Sequence, residues 1–296
     1  MNTVYLEKEY DYVKPKTLAE ALEILETKKN VKIFAGGTDL IVKLKIGSPI
    51  EMDTMLDING IEELKKVTSD KEGITIGAAE KISVLEKNED IINRFPALYE
   101  AFISMASISL RNMATLIGNL CNASPGADTA GPVICYGGSL LIKNHAGERR
   151  IKAEDFFAEG GKTVLEPNEI VTSVNIPAPG ENTGAAFIKL SRVKADLAKI
   201  SVSVVLTREN NLVGSCRIAM GSVAGKPLFL KEIGDGLVGK TLTKELIIET
   251  AEKISKAIKP RDGGNRTTAA YRIETSKIIS RDALEQAWER SGGKLS

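Results

Sequence analysis

Ala35-Gly36-Gly37-Thr38-Asp39-Leu40 stands between an apolar run, Val31-Lys32-Ile33-Phe34, and the helix-like Leu40-Ile41-Val42-Lys43-Leu44. A strand, a glycine turn and a helix in that order form a phosphate cradle. Adjacent glycines let the backbone adopt positive φ and approach a ligand closely, while the unpaired N–H groups of the helix's first turn face whatever anion sits there. Alone the turn is ambiguous, because a plain strand-to-helix turn has the same composition. A second segment sharpens it: Arg111-Asn112-Met113-Ala114-Thr115-Leu116-Ile117-Gly118-Asn119-Leu120-Cys121-Asn122-Ala123-Ser124-Pro125-Gly126-Ala127-Asp128-Thr129 is rich in small and hydrogen-bonding residues, as in a chain wrapped around a ligand.

In this order and at this spacing the two segments resemble the FAD-binding medium subunit of the molybdenum hydroxylases, the family of xanthine dehydrogenase and carbon monoxide dehydrogenase. That family's first motif reads A-G-G-T-D-L and its second roughly R-N-x-A-T-I-G-G-N-x-x-N-A-S-P-x-A-D. The chain departs at Ile117, where the family usually has the first glycine of a doublet. The likeness continues through Tyr12-Val13-Lys14-Pro15-Lys16-Thr17, Gly184-Ala185-Ala186-Phe187-Ile188-Lys189, Ser191-Arg192, Asp196-Leu197-Ala198 and Ala270-Tyr271-Arg272.

The resemblance implies an α+β fold. A two-subdomain FAD-binding domain of the vanillyl-alcohol-oxidase-like, PCMH type would span residues 1–177, with subdomains at about 1–58 and 59–177; a smaller C-terminal domain with an antiparallel sheet and helices would span 178–296. It also implies one non-covalently held FAD. By carry-over, Lys32, Ile33, Phe34, Ala35, Gly36, Gly37, Thr38, Asp39 and Leu40 would cradle the pyrophosphate and ribitol, Thr115, Gly118, Asn119, Asn122 and Asp128 would complete the second wall, and Met105, Ala114 and Ile117 would also bind the cofactor. Ile170 and Val171 would lie against the cofactor, and Lys189 would reach it from the second domain.

No side chain is expected to act as a catalytic acid, base or nucleophile, because a flavin performs the electron and hydride chemistry while the protein binds, orients and tunes it. Molybdopterin and two [2Fe–2S] clusters are expected only on partner subunits, a large and a small one. The chain would then be an oxidoreductase subunit that takes electrons from the iron–sulfur subunit and passes them to NAD⁺ or another acceptor. A different class stays open: a free-standing FAD oxidase of the vanillyl-alcohol-oxidase type. It would need its own substrate-binding domain, for which residues 178–296 look too small.

Composition is consistent with this. A chain of 296 residues with 43% hydrophobic content can hold two compact domains. Forty Lys and Arg against 39 Asp and Glu leave a formal net charge of +1, so no global field draws nucleic acid or an anionic membrane. The start, Met1-Asn2-Thr3-Val4-Tyr5-Leu6-Glu7-Lys8-Glu9, lacks a secretory pattern and no apolar run reaches membrane-span length, which predicts a cytoplasmic protein. Cys121, Cys135 and Cys216 are too few and too scattered for an iron–sulfur cluster, and with His145 as the single histidine no metal site is expected.

The periodicity predicts a helix at 17–28 behind Thr17, strands at 31–35 and 55–58, a hairpin over 64–78, and helices from 83 to 108 broken at Pro96. Residues 111–135 read as irregular. A hairpin turns at Asn144-His145-Ala146-Gly147, Glu169 to Ile176 is a strand, and Pro177-Ala178-Pro179-Gly180 is the linker candidate. Strands then fall at 186–190, 199–206 and 215–220, and helices near 226–234, 243–258 and 267–290. The basic stretch Lys259 to Arg266 reads as an exposed loop.

One motif points elsewhere. Gly234-Asp235-Gly236-Leu237-Val238-Gly239-Lys240-Thr241 satisfies the phosphate-loop pattern G-x-x-x-x-G-K-[ST]. That pattern needs a buried strand directly before it, yet Pro227 to Ile233 reads as an amphipathic helix, and no apolar strand ending in Asp follows. The segment reads instead as a helix end, a turn, and a new helix capped by Thr243.

Overall fold

The computed structural model describes residues 9–262 and 267–295, and its first layer is a small parallel sheet. Strands β1 (Asp11–Val13), β2 (Val31–Phe34) and β3 (Thr54–Asp57) lie in the order β1-β3-β2, with β3 buried in the middle. Parallel pairing needs crossovers. Helix α1 (Leu18–Thr27) supplies the first and α2 (Leu40–Lys45) opens the second. Thr17 starts α1 as its position predicts, its hydroxyl accepting from the Glu20 N–H at 3.2 Å, and Ala21 and Leu25 face the core.

The expected hairpin follows as β4 (Val67–Ser69) and β5 (Gly73–Gly77), and then come α3 (Ile82–Leu85), α4 (Glu89–Arg94), α5 (Pro96–Ser104) and α6 (Ile108–Arg111). Pro96 breaks the helical run by opening a new helix, since its missing N–H is no loss at a first helical position. The irregular reading of 111–135 is corrected: α7 (Leu116–Cys121) and α8 (Ala130–Cys135) lie within it. Each has six residues, too few for a 3.6-residue period to stand out, and Gly118, Gly131 and Pro132 mask it further. The hairpin β6 (Ser139–Asn144) and β7 (Gly147–Lys152), the short α9 (Ala153–Phe156), the small pair β8 (Phe157–Ala158) and β9 (Lys162–Thr163), and β10 (Ile170–Pro177) complete this part. An antiparallel five-stranded sheet results, in the order β4-β5-β10-β6-β7.

Residues 178–182 lead into a second antiparallel sheet of β11 (Thr183–Leu190), β12 (Ile200–Glu209), β13 (Leu212–Gly221) and β14 (Leu228–Phe229), paired in chain order. Here the helix expected at 226–234 is corrected. Leu228 and Phe229 pair with Met220 and Ala219, and α10 (Lys231–Asp235) begins only after them. α11 (Lys244–Ala257) and α12 (Ala269–Arg290) cover one face of this sheet around Trp288, Ile254 and Leu284. From its other face Ala185, Phe187, Val205 and Ala219 join the core of the first part, against α5 and α8. Burial on both faces is why every residue of β12 from Ile200 to Leu206 is buried, with Ile200, Val202, Val204 and Leu206 in the helix-covered core and Val205 in the core of the first part. Of the loop expected at 259–266, residues 263–266 lie outside the described residues. Among the described residues no helix is long and apolar enough to cross a membrane.

Candidate functional site

β2 ends at Phe34 and α2 begins at Leu40, so residues 35–39 turn at the carboxyl end of the parallel sheet, where ligands of α/β units commonly bind. Its two glycines do different work. Gly37 has φ of +68°, and a Cβ there would overlap the Phe34 ring, 2.6 Å from Cζ. Gly36 is where the two segments touch: a Cβ would lie 2.6 Å from the Met113 carbonyl oxygen and 2.8 Å from Ala114 Cα. Among the described residues no intramolecular hydrogen bond takes up the amide N–H of Gly36, Gly37, Thr38 or Asp39.

The second segment is pinned from several sides. Thr115 caps α7, its Oγ1 accepting from the Gly118 N–H at 2.9 Å, and a Cβ on Gly118 would press on that same oxygen. Thr129 Oγ1 donates to Asn119 Oδ1 at 2.7 Å, and Lys43 of α2 donates to Asn122 Oδ1 at 2.7 Å, tying the two segments together. Buried Arg111 pairs with Glu86 at 2.6 Å and donates to the carbonyls of Met105 and Ala106, holding Ala106 at φ of +46°. Lys189 of β11 reaches in to Asp128 at 2.7 Å, and Asp128 Oδ1 is buried with no hydrogen-bond partner among the described residues.

Between the segments lies a cavity of about 770 Å³, a size typical of small-molecule and cofactor sites. Its lining brings together Lys32 and Ile33 of β2, Ala35 through Leu40 from the turn, Met105 at the end of α5, Ala114, Thr115, Ile117, Gly118, Asn119, Asn122 and Asp128 from the second segment, and Ile170 and Val171 from β10. Two expected contacts fall outside it. The Phe34 ring occupies the space next to Gly37, and the Lys189 ammonium is spent on Asp128 and the Ser104 carbonyl. Lining residues to which the resemblance assigned no contact with the cofactor include Val42 and Lys43 of α2, Pro49 to Glu51, and Ala195, Asp196 and Leu197 from the loop after β11. Cys121 also lines it, and burial pushes its thiol up to about 12, so it stays protonated and unreactive at neutral pH.

Residues 8–179 match the family model of the FAD binding domain in molybdopterin dehydrogenase, and residues 185–287 match that of the CO dehydrogenase flavoprotein C-terminal domain. The chain belongs to the FAD-binding medium subunits of the molybdenum hydroxylases. The glyceraldehyde dehydrogenase medium chain of Sulfolobus acidocaldarius is 30% identical over 281 residues, 94% of this chain and 98% of that one. The carbon monoxide dehydrogenase medium chain of Afipia carboxidovorans is 29% identical over 285 residues, 95% and 98% of the two chains. A solved carbon monoxide dehydrogenase from Hydrogenophaga pseudoflava, lacking the Mo-pyranopterin moiety of its molybdenum cofactor, superposes with a TM-score of 0.91 at 28% identity, covering 96% of this chain and 98% of that chain. The α+β fold implied by the sequence resemblance is therefore the one found, and the medium subunit is an oxidoreductase component.

The donor and acceptor set of this medium subunit fits FAD. The free amides of residues 36–39 offer donors to a pyrophosphate, and the orphaned Asp128 oxygen offers an acceptor to an N–H or O–H of a ligand. Burial pushes the Asp128 carboxyl up, while the Lys189 ammonium and its hydrogen bond pull it back. With the ammonium at 2.7 Å the ionised form is the one that the geometry serves.

Proposed function

We propose that this chain holds FAD non-covalently as the electron-transfer subunit of a multi-subunit molybdenum-containing hydroxylase or dehydrogenase, working in the cytoplasm. FAD, when bound, would supply the electron and hydride chemistry for a subunit placed between a [2Fe–2S] subunit and NAD⁺ or another acceptor. The observation that carries this reading is the pairing, across one cavity, of four uncommitted amide N–H groups with a buried, unpartnered carboxylate oxygen.

In this reading Gly36 to Asp39 bind the pyrophosphate through their backbone, Thr115, Gly118, Asn119 and Asn122 form the opposite wall, and Ile170 and Val171 exclude water from the ring. Asp128 orients the cofactor by accepting one hydrogen bond, and Lys189 acts through Asp128. Val42, Leu110 and Leu197 both line the cavity and stand exposed, next to exposed Ile46, Ile108 and Met113. An apolar rim of this kind supports docking of a partner, here the iron–sulfur subunit beside the molybdopterin-binding one. All three cysteines are free thiols, which agrees with a reducing compartment.

The test is to denature the purified protein and quantify released chromophore. One FAD per chain, free of the polypeptide, is expected. A colourless protein that takes up no FAD, or flavin that stays on the chain, overturns the cofactor reading. Oxidation of an organic substrate at ordinary enzyme rates by this chain alone overturns the relay.

A further inference from the structure

Behind the glycine turn, outside the cavity lining, Asp57 at the end of β3 and Asn59 just after it form a polar knot with Tyr12, Lys14 and Lys81. Asp57 is 3% exposed and accepts from the Asn59 N–H at 2.9 Å, from Asn59 Nδ2 at 2.6 Å and from the Tyr12 hydroxyl, with Lys14 Nζ at 3.4 Å. Burial raises this carboxyl, but the hydrogen bonds from Tyr12 and Asn59 and the charge of Lys14 together hold it below its usual range, so it stays an acceptor.

Asn59 is fully engaged. Its Nδ2 also donates to the Ala35 carbonyl at 2.7 Å, and its Oδ1 accepts from Lys81 Nζ at 2.6 Å. An ammonium only donates, so Oδ1 must face Lys81 and Nδ2 must face Ala35 and Asp57; a flipped amide would set donor against donor and oxygen against two acceptors. The Ala35 carbonyl is thereby held toward Asn59. The peptide bond is trans, like every other among the described residues, so its N–H points the opposite way from its C=O. The Gly36 N–H is therefore directed away from Asn59, and no intramolecular partner among the described residues takes it up. Lys81, in turn, forms a backbone bridge with Thr115, the cap and lining residue of the second wall.

We propose that Asn59 and Lys81 are positioning residues for the cofactor site: Asn59 fixes the Ala35–Gly36 peptide so that the Gly36 N–H is presented to an anionic ligand group, and Lys81 locks Asn59 and sets the turn in register with the Thr115 wall. This rests on the FAD reading above. Neither side chain touches the cavity, so their effect is transmitted through one peptide plane.

The experiment uses the full chain with Asn59→Ala, Lys81→Met and Lys81→Arg. FAD is stripped and re-added, its dissociation constant is read from flavin fluorescence, and the melting temperature of each flavin-free protein is taken alongside. Asn59→Ala should weaken FAD by about tenfold or more, the equivalent of one hydrogen bond to a charged group, and Lys81→Met by a smaller factor. Lys81→Arg, which keeps a donor, should restore affinity, and the loss of affinity in Asn59→Ala should exceed what its lowered flavin-free melting temperature accounts for. Wild-type affinity in both Asn59→Ala and Lys81→Met overturns this inference alone, as does a loss that merely tracks lowered flavin-free stability. A wild-type chain that takes up no FAD overturns the cofactor reading and this inference with it. If Asn59→Ala does not fold, the contrast between Lys81→Met and Lys81→Arg decides the matter.

Discussion

Lys189 Nζ lies 2.7 Å from Asp128 Oδ2, with both side chains almost wholly shielded from water and 61 positions apart in the chain. The same ammonium donates to the Ser104 carbonyl at 3.0 Å. One charge thus joins β11, the end of α5 and the second segment of the cavity wall. Buried pairs of this kind add little net stability over an apolar pair, but losing one partner strands the other charge.

Lys189→Met should therefore destabilise the chain by about 3–5 kcal/mol, and adding Asp128→Leu should recover much of it. The pH dependence separates this from lost packing. Burial raises the folded Asp128 pKa, and Lys189 is what opposes the rise. In the variant the folded chain holds that proton more tightly than the unfolded chain, so the stabilising effect is full below the unfolded value near ~3.9 and is lost as pH rises through the folded value. Urea unfolding near pH 7.5 and near pH 5.5 should show the deficit shrinking at the lower pH. A deficit unchanged between them would refute the uncompensated charge.

Glu169, at the foot of β10 beside the lining residues Ile170 and Val171, shows the opposite sign. Arg149 donates to both carboxylate oxygens at 2.7 Å, and this pairing, opposed by burial and aided by the Glu166 N–H, lowers the Glu169 pKa. Its contribution is present above the unfolded value near ~4.3 and is lost as pH falls through the folded one. Glu169→Gln should cost about 1–2 kcal/mol at neutral pH, modest because Arg149 is partly solvated. Melting curves of both proteins down to about pH 3 should converge. Parallel curves would assign the loss to shape alone.

Lys240→Ala addresses the phosphate-loop pattern. The residues before it are the two-residue edge strand β14 and α10, while Gly239 has φ of +76° and Thr243 caps α11, accepting from the Leu246 N–H at 3.2 Å. What holds Lys240 is backbone: its carbonyl accepts from the Val213 N–H at 2.9 Å, and alanine keeps that bond. Stability should change by no more than about 0.5 kcal/mol, with FAD content unaltered. ATP hydrolysis that disappears in this variant would overturn the assignment.

Elements with their own caps and periods were legible in the sequence, as with α1 behind Thr17 and α11 behind Thr243. Those defined by a distant partner were not. Leu228 and Phe229 are a strand only because Ala219 and Met220 offer an edge, and α7 and α8 are too short to carry a period. The cavity follows the same division. Both glycines of the turn were evident as a pair, but the reason for Gly36 lies at Met113 and Ala114, which no local pattern announces. Lys43 and the 195–197 loop enter the lining through tertiary packing, and the Phe34 ring is turned out of it to pack against the turn.

Gly37→Val and Ile117→Gly form the sharpest contrast, because one replaces a turn glycine and the other creates the glycine that the family usually carries. At Gly37 the backbone sits at φ of +68°, which a β-branched residue adopts only under strain, and the new Cβ would press into the Phe34 ring. The turn must then shift, and with it the amides of residues 36–39. Flavin should be lost while the two cores remain intact, since the strain of about 1–3 kcal/mol is local to an outer turn. Ile117 is 4% exposed, near the start of α7. Removing its side chain costs packing and adds backbone freedom, roughly 1–4 kcal/mol of stability, but leaves the Thr115 cap and the amides of the turn where they were. Flavin occupancy and melting temperature, measured separately, should diverge: Gly37→Val empty with moderate loss of stability, Ile117→Gly loaded but less stable. Full flavin in Gly37→Val would remove the support for placing the pyrophosphate at residues 35–40.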